Sequence, residues 1–140
     1  MITAIDTNVL LDILVPDDRF LDQSSRALQD AATEGSLVIS DPVYAELCVH
    51  FDKQSECDRF LEDNDIRTEA LSRPASFMAS RAWRTYRHRG GKRTRILADF
   101  LIGAHAQLHA SRLLTRYRGF YNSMFPSLRL LDPTEQSASG

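Results

Sequence analysis

Three acidic residues, Asp6, Glu46 and Asp99, each lie in a stretch of sequence that is otherwise mostly apolar. Such stretches are expected to be buried, and an unpaired carboxylate is costly to bury. A buried carboxylate therefore usually has a partner, and three that converge would suit a hard divalent cation such as Mg²⁺. The sequence predicts one acidic, cation-binding pocket, which is the arrangement that a metal-dependent nuclease needs.

Basic residues are concentrated in the second half of the chain. Residues 1–72 contain 16 Asp and Glu and 5 Lys and Arg, whereas residues 73–140 contain 3 acidic and 12 basic residues. Seven basic side chains share one stretch: Arg81, Arg84, Arg87, Arg89, Lys92, Arg93 and Arg95. A basic surface beside an acidic site would bring nucleic-acid phosphates to a bound metal. A solvated helix face, paired with the acidic half of the protein, explains the charge pattern equally well.

The 140 residues have the composition of a globular protein. We predict a single domain over residues 1–132 and a flexible tail over residues 133–140. No apolar run approaches the roughly 20 residues of a membrane span. Cys48 and Cys57 have neither CxxC nor metal-finger spacing. We expect a cytoplasmic protein with reduced cysteines and no contact with a membrane.

Short apolar runs alternate with helical patterns along the chain. The predicted strands are Ile2–Ile5, Ser36–Ile39, Ile66–Leu71, Arg112–Thr115 and Leu128–Leu131. Helices are predicted between the strands, except that residues 116–126 are expected to form only a connection. One helix begins after Asp6, one carries Glu46, one ends near Gly90, and a nearly all-apolar one begins at Asp99.

This alternation predicts an α/β fold with a central, mostly parallel sheet of about four to five strands and helices on both faces. Functional sites in such sheets gather at the carboxyl ends of the strands. Asp6 and the residues after Thr115 would lie at strand ends, while helices would present Glu46 and Asp99. The predicted topology is therefore consistent with one shared acidic pocket.

Three other kinds of functional site are poorly supported. Gly90 and Gly91 lack the flanking signature of a phosphate-binding loop, and the sequence has no GxSxG nucleophile motif. A phosphoacceptor domain of the receiver type would need a pair of acids at the first strand and a lysine late in the chain. The last lysine here is Lys92, which precedes the final two predicted strands.

His105 and His109 are four residues apart on one predicted helix, so their imidazoles could share a face. They lack the adjacent glutamate of a zinc-protease motif, and buried or surface histidines are the simpler interpretation. Asp12 follows Asp6 by six residues. We expect Asp12 to cap the first helix or to lie on its surface, with a supporting role near the site as the alternative.

Several motifs taken together resemble those of the PIN-domain family, and most closely the VapC-type toxin ribonucleases of bacterial toxin–antitoxin operons. They are the segments Ile5–Leu11, Tyr44–Leu47, Asp99–Ala106, Leu113–Arg116, Arg118–Tyr121 and Phe125–Pro126. The resemblance covers nearly the whole chain and implies a PIN-like three-layer sandwich. It also implies a Mg²⁺- or Mn²⁺-dependent endoribonuclease that cleaves RNA phosphodiester bonds as the toxin of a type II toxin–antitoxin system.

The resemblance also assigns roles to single residues. Asp6, Glu46 and Asp99 match catalytic, metal-binding acids of the family. Asn8 or Thr7 would match its supporting polar residue, and Thr115 the hydroxyl residue near its last acid. From the charge pattern, the residues expected to contact RNA phosphates are Arg87, Arg89, Lys92 and Arg93.

Tyr117 departs from the family pattern, which usually has an aspartate at this position. A tyrosine hydroxyl, with an ordinary pKa of about 10, is neutral at pH 7 and cannot supply a carboxylate's charge to a hard cation. Catalysis on three carboxylates, a naturally weakened nuclease and a substitution that disarms a toxic protein all remain open. We expect a ribonuclease of reduced activity. The alternative is a catalytically disarmed PIN-fold module that binds antitoxin or RNA without cutting.

The resemblance further implies a homodimer and a VapB-like antitoxin. Six apolar residues of the first two helices could either form a dimer surface or belong to the core: Leu10, Leu11, Leu14, Phe20, Leu21 and Leu28. An acidic pocket would attract an inhibitory peptide segment that carries Arg or Lys.

Overall fold

The computed structural model describes residues 1–135, and the part of the predicted tail at residues 136–140 lies outside the described residues. The strands are β1 (Ile2–Ile5), β2 (Ser36–Ile39), β3 (Ile66–Thr68), β4 (Arg112–Leu114) and β5 (Leu130–Leu131). The helices are α1 (Thr7–Leu14), α2 (Leu21–Glu34), α3 (Asp41–Cys48), α4 (Gln54–Asp63), α5 (Arg73–His88), α6 (Leu97–His109) and α7 (Arg118–Met124). None of these helices is long and apolar enough to span a membrane.

The strands form one parallel sheet in the order β3-β2-β1-β4-β5. The central strand β1 pairs with β2 on one side and β4 on the other, so that Ala4 lies opposite both Val38 and Leu113. After β3 the chain crosses back over the sheet, and right-handed crossovers then place the helices before and after β3 on opposite faces. The predicted α/β fold with a parallel sheet is confirmed.

Apolar side chains from the central strands and from α6 form the core. In β1 and β2 every residue after the first is buried, because these strands have covered faces on both sides. Helix α6 buries Phe100, Ile102 and Ala104, as its nearly continuous apolar sequence predicts. Of the residues considered for a dimer surface, Leu10 and Leu28 belong to the core, and the others are partly exposed.

Several predicted elements need correction. Strand β4 ends at Leu114 rather than Thr115, and α6 begins at Leu97 rather than Asp99. Strand β3 ends at Thr68 rather than Leu71, since only Ile66 of this strand is buried, and β5 begins at Leu130 rather than Leu128. The segment 116–126, predicted to be only a connection, contains helix α7. This short helix forms because Tyr121 and Phe125, one helical turn apart, both pack into the core.

Helix α5 ends close to the predicted position. Its C-terminal residues are followed by Gly90, which has a φ of 75°, a left-handed conformation that glycine adopts without steric cost. The chain then runs through a turn to Ile96, the residue that precedes α6. As a result the basic stretch is divided between the exposed end of α5 and the loop that leads into α6.

Candidate active site

Asp6 lies at the carboxyl end of the central strand and starts helix α1. Its backbone N–H donates to the Leu114 carbonyl at 2.9 Å, which extends the pairing of β1 with β4 by one residue. Its carboxylate Oδ1 accepts the Thr7 N–H at 2.8 Å and so caps α1. The strand and the helix together therefore fix the position of this carboxylate.

The second oxygen of the Asp6 carboxylate accepts three more hydrogen bonds. Asn8 Nδ2 donates to Oδ2 at 2.8 Å, the Thr115 hydroxyl at 2.8 Å and the Tyr121 hydroxyl at 3.1 Å. These donors come from α1, from the end of β4 and from α7. Asn8 and Thr115, which were predicted as supporting residues, both contact Asp6, and so does Tyr121, which was not predicted.

The Asp6 side chain is buried, and its residue is only 4% exposed. Burial raises the pKa of Asp6 from 3.8 to about 6, even though hydrogen bonds from Thr115, Thr7 and Tyr121 act to lower it. The nearby charge of Glu46 raises this pKa further. Asp6 is therefore a carboxylate that its surroundings orient without a compensating positive charge.

Glu46 projects from α3 and is connected to Asp6 through Thr7. The Thr7 hydroxyl donates to Glu46 Oε1 at 2.8 Å, while the Thr7 backbone N–H donates to Asp6. Thr7 is buried and Glu46 is half-buried. Thr7 is thus a second supporting residue in addition to Asn8. It connects the two acids because it donates a hydrogen bond to each of them.

Asp99 lies in the first turn of α6, where its Oδ2 accepts the Ile96 N–H at 3.0 Å. Burial, and then the charges of Asp6 and Asp99, raise the pKa of Tyr121 well above its ordinary value. The two carboxylates therefore both act on the buried Tyr121 hydroxyl. Asp6 and Glu46 are thus linked through Thr7, whereas Asp99 is related to Asp6 only through Tyr121.

The carboxylate oxygens of the three acids are suitable ligands for a hard cation, although the three side chains do not enclose an ion by themselves. No ion pair within residues 1–135 involves Asp6, Glu46 or Asp99. Oxygen ligands without a basic partner are what Mg²⁺ or Mn²⁺ requires. In the same part of the chain, no three His, Cys, Asp or Glu side chains are close enough together to hold a metal ion.

Tyr117, at the position of the expected fourth acid, begins α7 and is 42% exposed. Its backbone N–H donates to the Thr115 hydroxyl at 3.0 Å, and that hydroxyl in turn donates to Asp6. The Arg95 guanidinium carbon lies 5.0 Å from the centre of its ring, and that of Arg116 lies 5.9 Å away. This position therefore holds a partly exposed aromatic ring near two cations instead of a carboxylate.

Asp12 supports the site from α1 and is not a surface residue. It is 4% exposed and accepts hydrogen bonds from Arg116 through both oxygens at 2.9 Å, and from the Ser24 hydroxyl at 2.7 Å. The Arg116 backbone N–H donates to Asn8 Oδ1 at 3.1 Å. Arg116 thus joins α1 to the residues after β4 beside Asp6. The expectation of a surface or capping residue is wrong, and the supporting role is the better description.

His105 and His109 have separate structural partners. His105 is buried and donates through Nε2 to the Glu69 carbonyl at 2.9 Å, and burial lowers its pKa. His109 Nε2 lies 2.6 Å from the Ser72 hydroxyl at the start of α5. These contacts fasten α6 to the chain that follows β3 and agree with the simpler interpretation of the two histidines.

Comparison with known proteins supports the fold assignment. A sequence model of the PIN domain matches residues 3–123. No curated protein matches the chain. The VapBC2 structure from Rickettsia felis, solved with a DNA fragment from the promoter, is 22% identical with a TM-score of 0.70, and the alignment covers 94% of this chain and 98% of that one.

Two further structures have similar folds. VapBC-1 from nontypeable Haemophilus influenzae has a TM-score of 0.71 at 19% identity, over 96% of this chain and 100% of that one. A toxin–antitoxin complex from Klebsiella pneumoniae has a TM-score of 0.64 at 24% identity, over 96% and 99% of the two chains. The sequence match spans most of the chain and includes Asp6, Glu46 and Asp99. The chain therefore belongs to the PIN domain family.

Proposed function

We propose that the protein is the toxin of a type II toxin–antitoxin system and a Mg²⁺- or Mn²⁺-dependent endoribonuclease. PIN domains are generally nucleases and typically use divalent metals. The observation that carries the proposal is the Asp6 carboxylate, which is buried and oriented by four donors but has no basic partner within residues 1–135. Such a carboxylate is costly to bury unless it holds a cation.

Asp6, Glu46 and Asp99 would hold the metal ion. Mg²⁺ usually keeps several water ligands, so direct contact with all three acids is not required. When bound, the metal supplies an activated water and offsets negative charge at the scissile phosphate. Thr7 orients Glu46 relative to Asp6, while Asn8 and the hydroxyl groups of Thr115 and Tyr121 orient Asp6.

Tyr117 favours a second candidate function, a PIN-fold module that binds antitoxin or RNA without cutting. Its phenol supplies no charge to a cation, and Arg95 and Arg116 are the charged groups beside it. The three acids Asp6, Glu46 and Asp99 would be unnecessary for such a module. We therefore favour a ribonuclease of reduced activity over the binding module.

A matched pair of proteins separates these two functions: the present chain and its Tyr117→Asp variant, each incubated with total RNA and Mn²⁺. We expect both to cut and the Tyr117→Asp protein to cut at least about ten-fold faster, because an added carboxylate strengthens the hold on the cation. Fragment formation on denaturing gels, with EDTA as the control, measures the difference. Cleavage by the Tyr117→Asp protein alone would show that the present chain is disarmed, and cleavage by neither protein would favour the binding module. Equal cleavage would show that a fourth acid is dispensable.

We also propose that RNA phosphates contact the end of α5 and the loop after it. Arg87, Arg89, Lys92 and Arg93 are all exposed, and no ion pair of the described residues involves them. The Arg87 guanidinium carbon lies 5.3 Å from the Trp83 ring centre, which leaves its charge available to solvent. Phosphate contacts of this kind position RNA and carry little sequence preference.

A homodimer and a VapB-like antitoxin complete the proposal, together with a cytoplasmic location where RNA and antitoxin would both be met. The similar structures from Rickettsia felis and Klebsiella pneumoniae were solved as VapBC2 and as a toxin–antitoxin complex. In the present chain the acidic pocket would receive an antitoxin segment that carries Arg or Lys.

Charge reversal tests this partner. Glu46→Lys together with Asp99→Lys should weaken binding of the antitoxin at least about ten-fold, because two attractive charges become repulsive. Calorimetric titration with the antitoxin encoded beside the gene measures the change, and light scattering on the free protein measures the dimer. Unchanged antitoxin affinity would remove the electrostatic contact, and a monomer at micromolar concentration would remove the dimer.

A further inference from the structure

An aromatic ring and an arginine stand together beside the acidic site, and the proposed chemistry uses neither. Tyr117 is 42% exposed although two guanidinium groups lie against it. Arg95 lies over Tyr117 at 5.0 Å and over the ring of Phe120 at 4.5 Å. An exposed aromatic ring with an adjacent guanidinium is the combination that single-stranded nucleic acids bind through stacking and phosphate contact.

The position of Tyr117 is fixed from two directions. Its N–H is bonded to the Thr115 hydroxyl, which itself donates to Asp6. On its N-terminal side Arg116 is held by both oxygens of Asp12 and lies 3.9 Å from the ring centre of Phe20. Because its charge is already paired with Asp12, Arg116 serves to orient the neighbouring tyrosine. The backbone of Tyr117 is thus held before any ligand binds, which reduces the entropic cost of binding.

Arg95 is the available cation of the group. It is half-buried, and within residues 1–135 no carboxylate pairs with it. Its charge acts on the Tyr121 hydroxyl, the same group on which Asp6 and Asp99 act. A guanidinium that has no carboxylate partner and lies over the Tyr117 ring can bind a phosphate next to a base stacked there.

We propose that Tyr117 and Arg95 form a nucleotide-binding site for single-stranded RNA, in which a base stacks on Tyr117 and the adjacent phosphate binds Arg95. The site would hold the RNA directly beside Asp6 and Asp99. This inference rests on the proposed function, since it takes RNA as the ligand. It gives the residue at the position of the missing acid a role in binding instead of metal coordination.

Charge favours RNA over a peptide at this place. An antitoxin segment bearing Arg or Lys would meet the like charge of Arg95, whereas a phosphate meets an opposite charge. A base also offers a flat face of the size of the exposed ring, and stacking of this kind tolerates any base. The acids and the Tyr117–Arg95 pair would therefore serve different ligands or different parts of one RNA.

Binding of short RNA in EDTA tests the site without any contribution from a metal or from cleavage. A fluorescent single-stranded RNA of about eight nucleotides and the same RNA with abasic positions are titrated at low salt. Tyr117→Ala should weaken binding of the intact RNA by roughly 5- to 150-fold, the range measured for one stacked base. Tyr117→Phe should remain within about two-fold, because the ring is kept. Arg95→Gln should weaken binding of both RNAs, because the phosphates are present in each.

Two controls separate stacking from other effects. Phe77→Ala removes another exposed ring that carries an arginine, Arg81 at 4.5 Å, and should leave binding unchanged. Neutralising Arg87, Arg89 and Arg93 together should weaken intact and abasic RNA equally and flatten the salt dependence. Thermal unfolding of every variant shows that each is folded at the assay temperature.

Several results would overturn the site. Equal binding by the starting protein and Tyr117→Ala would do so, as would an equal loss on intact and abasic RNA, or no RNA binding by the starting protein. Loss of antitoxin affinity without loss of RNA affinity would assign the ring to the antitoxin. The two proposals can fail separately. If the protein cleaves RNA in Mn²⁺ but binds it equally well without Tyr117, only the binding site is rejected. If RNA binding depends on Tyr117 but no cleavage occurs, only the nuclease activity is rejected.

Discussion

Replacing Asp6 by Asn is expected to remove RNA cleavage and, at the same time, to make the metal-free protein more stable at neutral pH. Cleavage should fall by at least about 100-fold, because the metal contributes several kcal/mol and a neutral amide cannot hold it. The Thr7 N–H can still donate to the remaining oxygen, and the Tyr121 hydroxyl can turn to accept from the new amide. Asn8 Nδ2 loses its acceptor on Asp6 and keeps the Thr115 hydroxyl at 3.3 Å. The fold should therefore tolerate the change.

The gain in stability depends on pH in a definite direction. The folded protein raises the pKa of Asp6 from 3.8 to about 6, so folding favours the protonated carboxyl. Below pH 3.8 the carboxyl is protonated in both states and costs nothing. As the pH rises towards 6 the cost of the buried charge grows, and above that value it levels off at roughly 3 kcal/mol. The Asp6→Asn protein does not bear this cost.

Thermal unfolding in EDTA at pH 4.5 and pH 8, and at pH 8 with added Mg²⁺, checks the prediction alongside the cleavage assay. The Asp6→Asn protein should exceed the starting protein in Tm mainly at pH 8, and only the starting protein should gain stability from Mg²⁺. Undiminished cleavage would reject Asp6 as a metal ligand. A difference in Tm that is the same at both pH values would show that the buried charge is not its cause.

The sequence predicted the parts of the fold that local pattern determines. Runs such as Ile2–Ile5 and Ser36–Ile39 are short, apolar and bounded by polar residues, so their assignment as buried strands did not depend on distant contacts. The same is true of α5, which Ser72 caps and Gly90 terminates. Helix α7 was missed because seven residues that include a glycine carry no helical periodicity of their own.

The contacts around the acids depend on distant parts of the chain and could be predicted only in part. Asp6 and Thr115 were assigned through motifs that resemble a family, and they are in contact. Nothing in the sequence around Tyr121 indicates that its hydroxyl reaches a carboxylate 115 residues earlier. Likewise, the pairing of Asp12 with Arg116 spans 104 residues and depends on the packing of α1 against the end of β4. Side-chain partners of this kind follow from tertiary structure.

Asp12→Ala should be among the most destabilising single substitutions in the site. Asp12 accepts two hydrogen bonds from the Arg116 side chain and one from Ser24, and its side chain is only 4% exposed. Removing the carboxylate would leave a guanidinium that is 19% exposed without its counter-ion, and breaking such a pair typically costs about 3–5 kcal/mol. We expect the lower end of that range, about 3 kcal/mol, because Arg116 can turn partly towards solvent.

This loss should appear as a fall in Tm of roughly 10 °C, measured by circular dichroism on heating. Asp17→Ala is the matched control, because Asp17 pairs with Arg19 on the surface, where solvent screens the interaction. That variant should unfold at nearly the same temperature as the starting protein. Equal and small effects of the two substitutions would show that the buried pair contributes little.

A double variant separates the effect of the Asp12 charge from the effect of its packing. Replacing Asp12 by Leu and Arg116 by Met together should recover much of the stability lost in Asp12→Ala, since no unpaired buried charge remains. The double variant should still bind RNA more weakly than the starting protein, because Arg116 orients Tyr117 through its contacts with Asp12 and Phe20. That result would show that the ion pair between Asp12 and Arg116 positions the residues after β4 in addition to stabilising the fold. Recovery of both properties by the double variant would contradict that role and leave only a structural one.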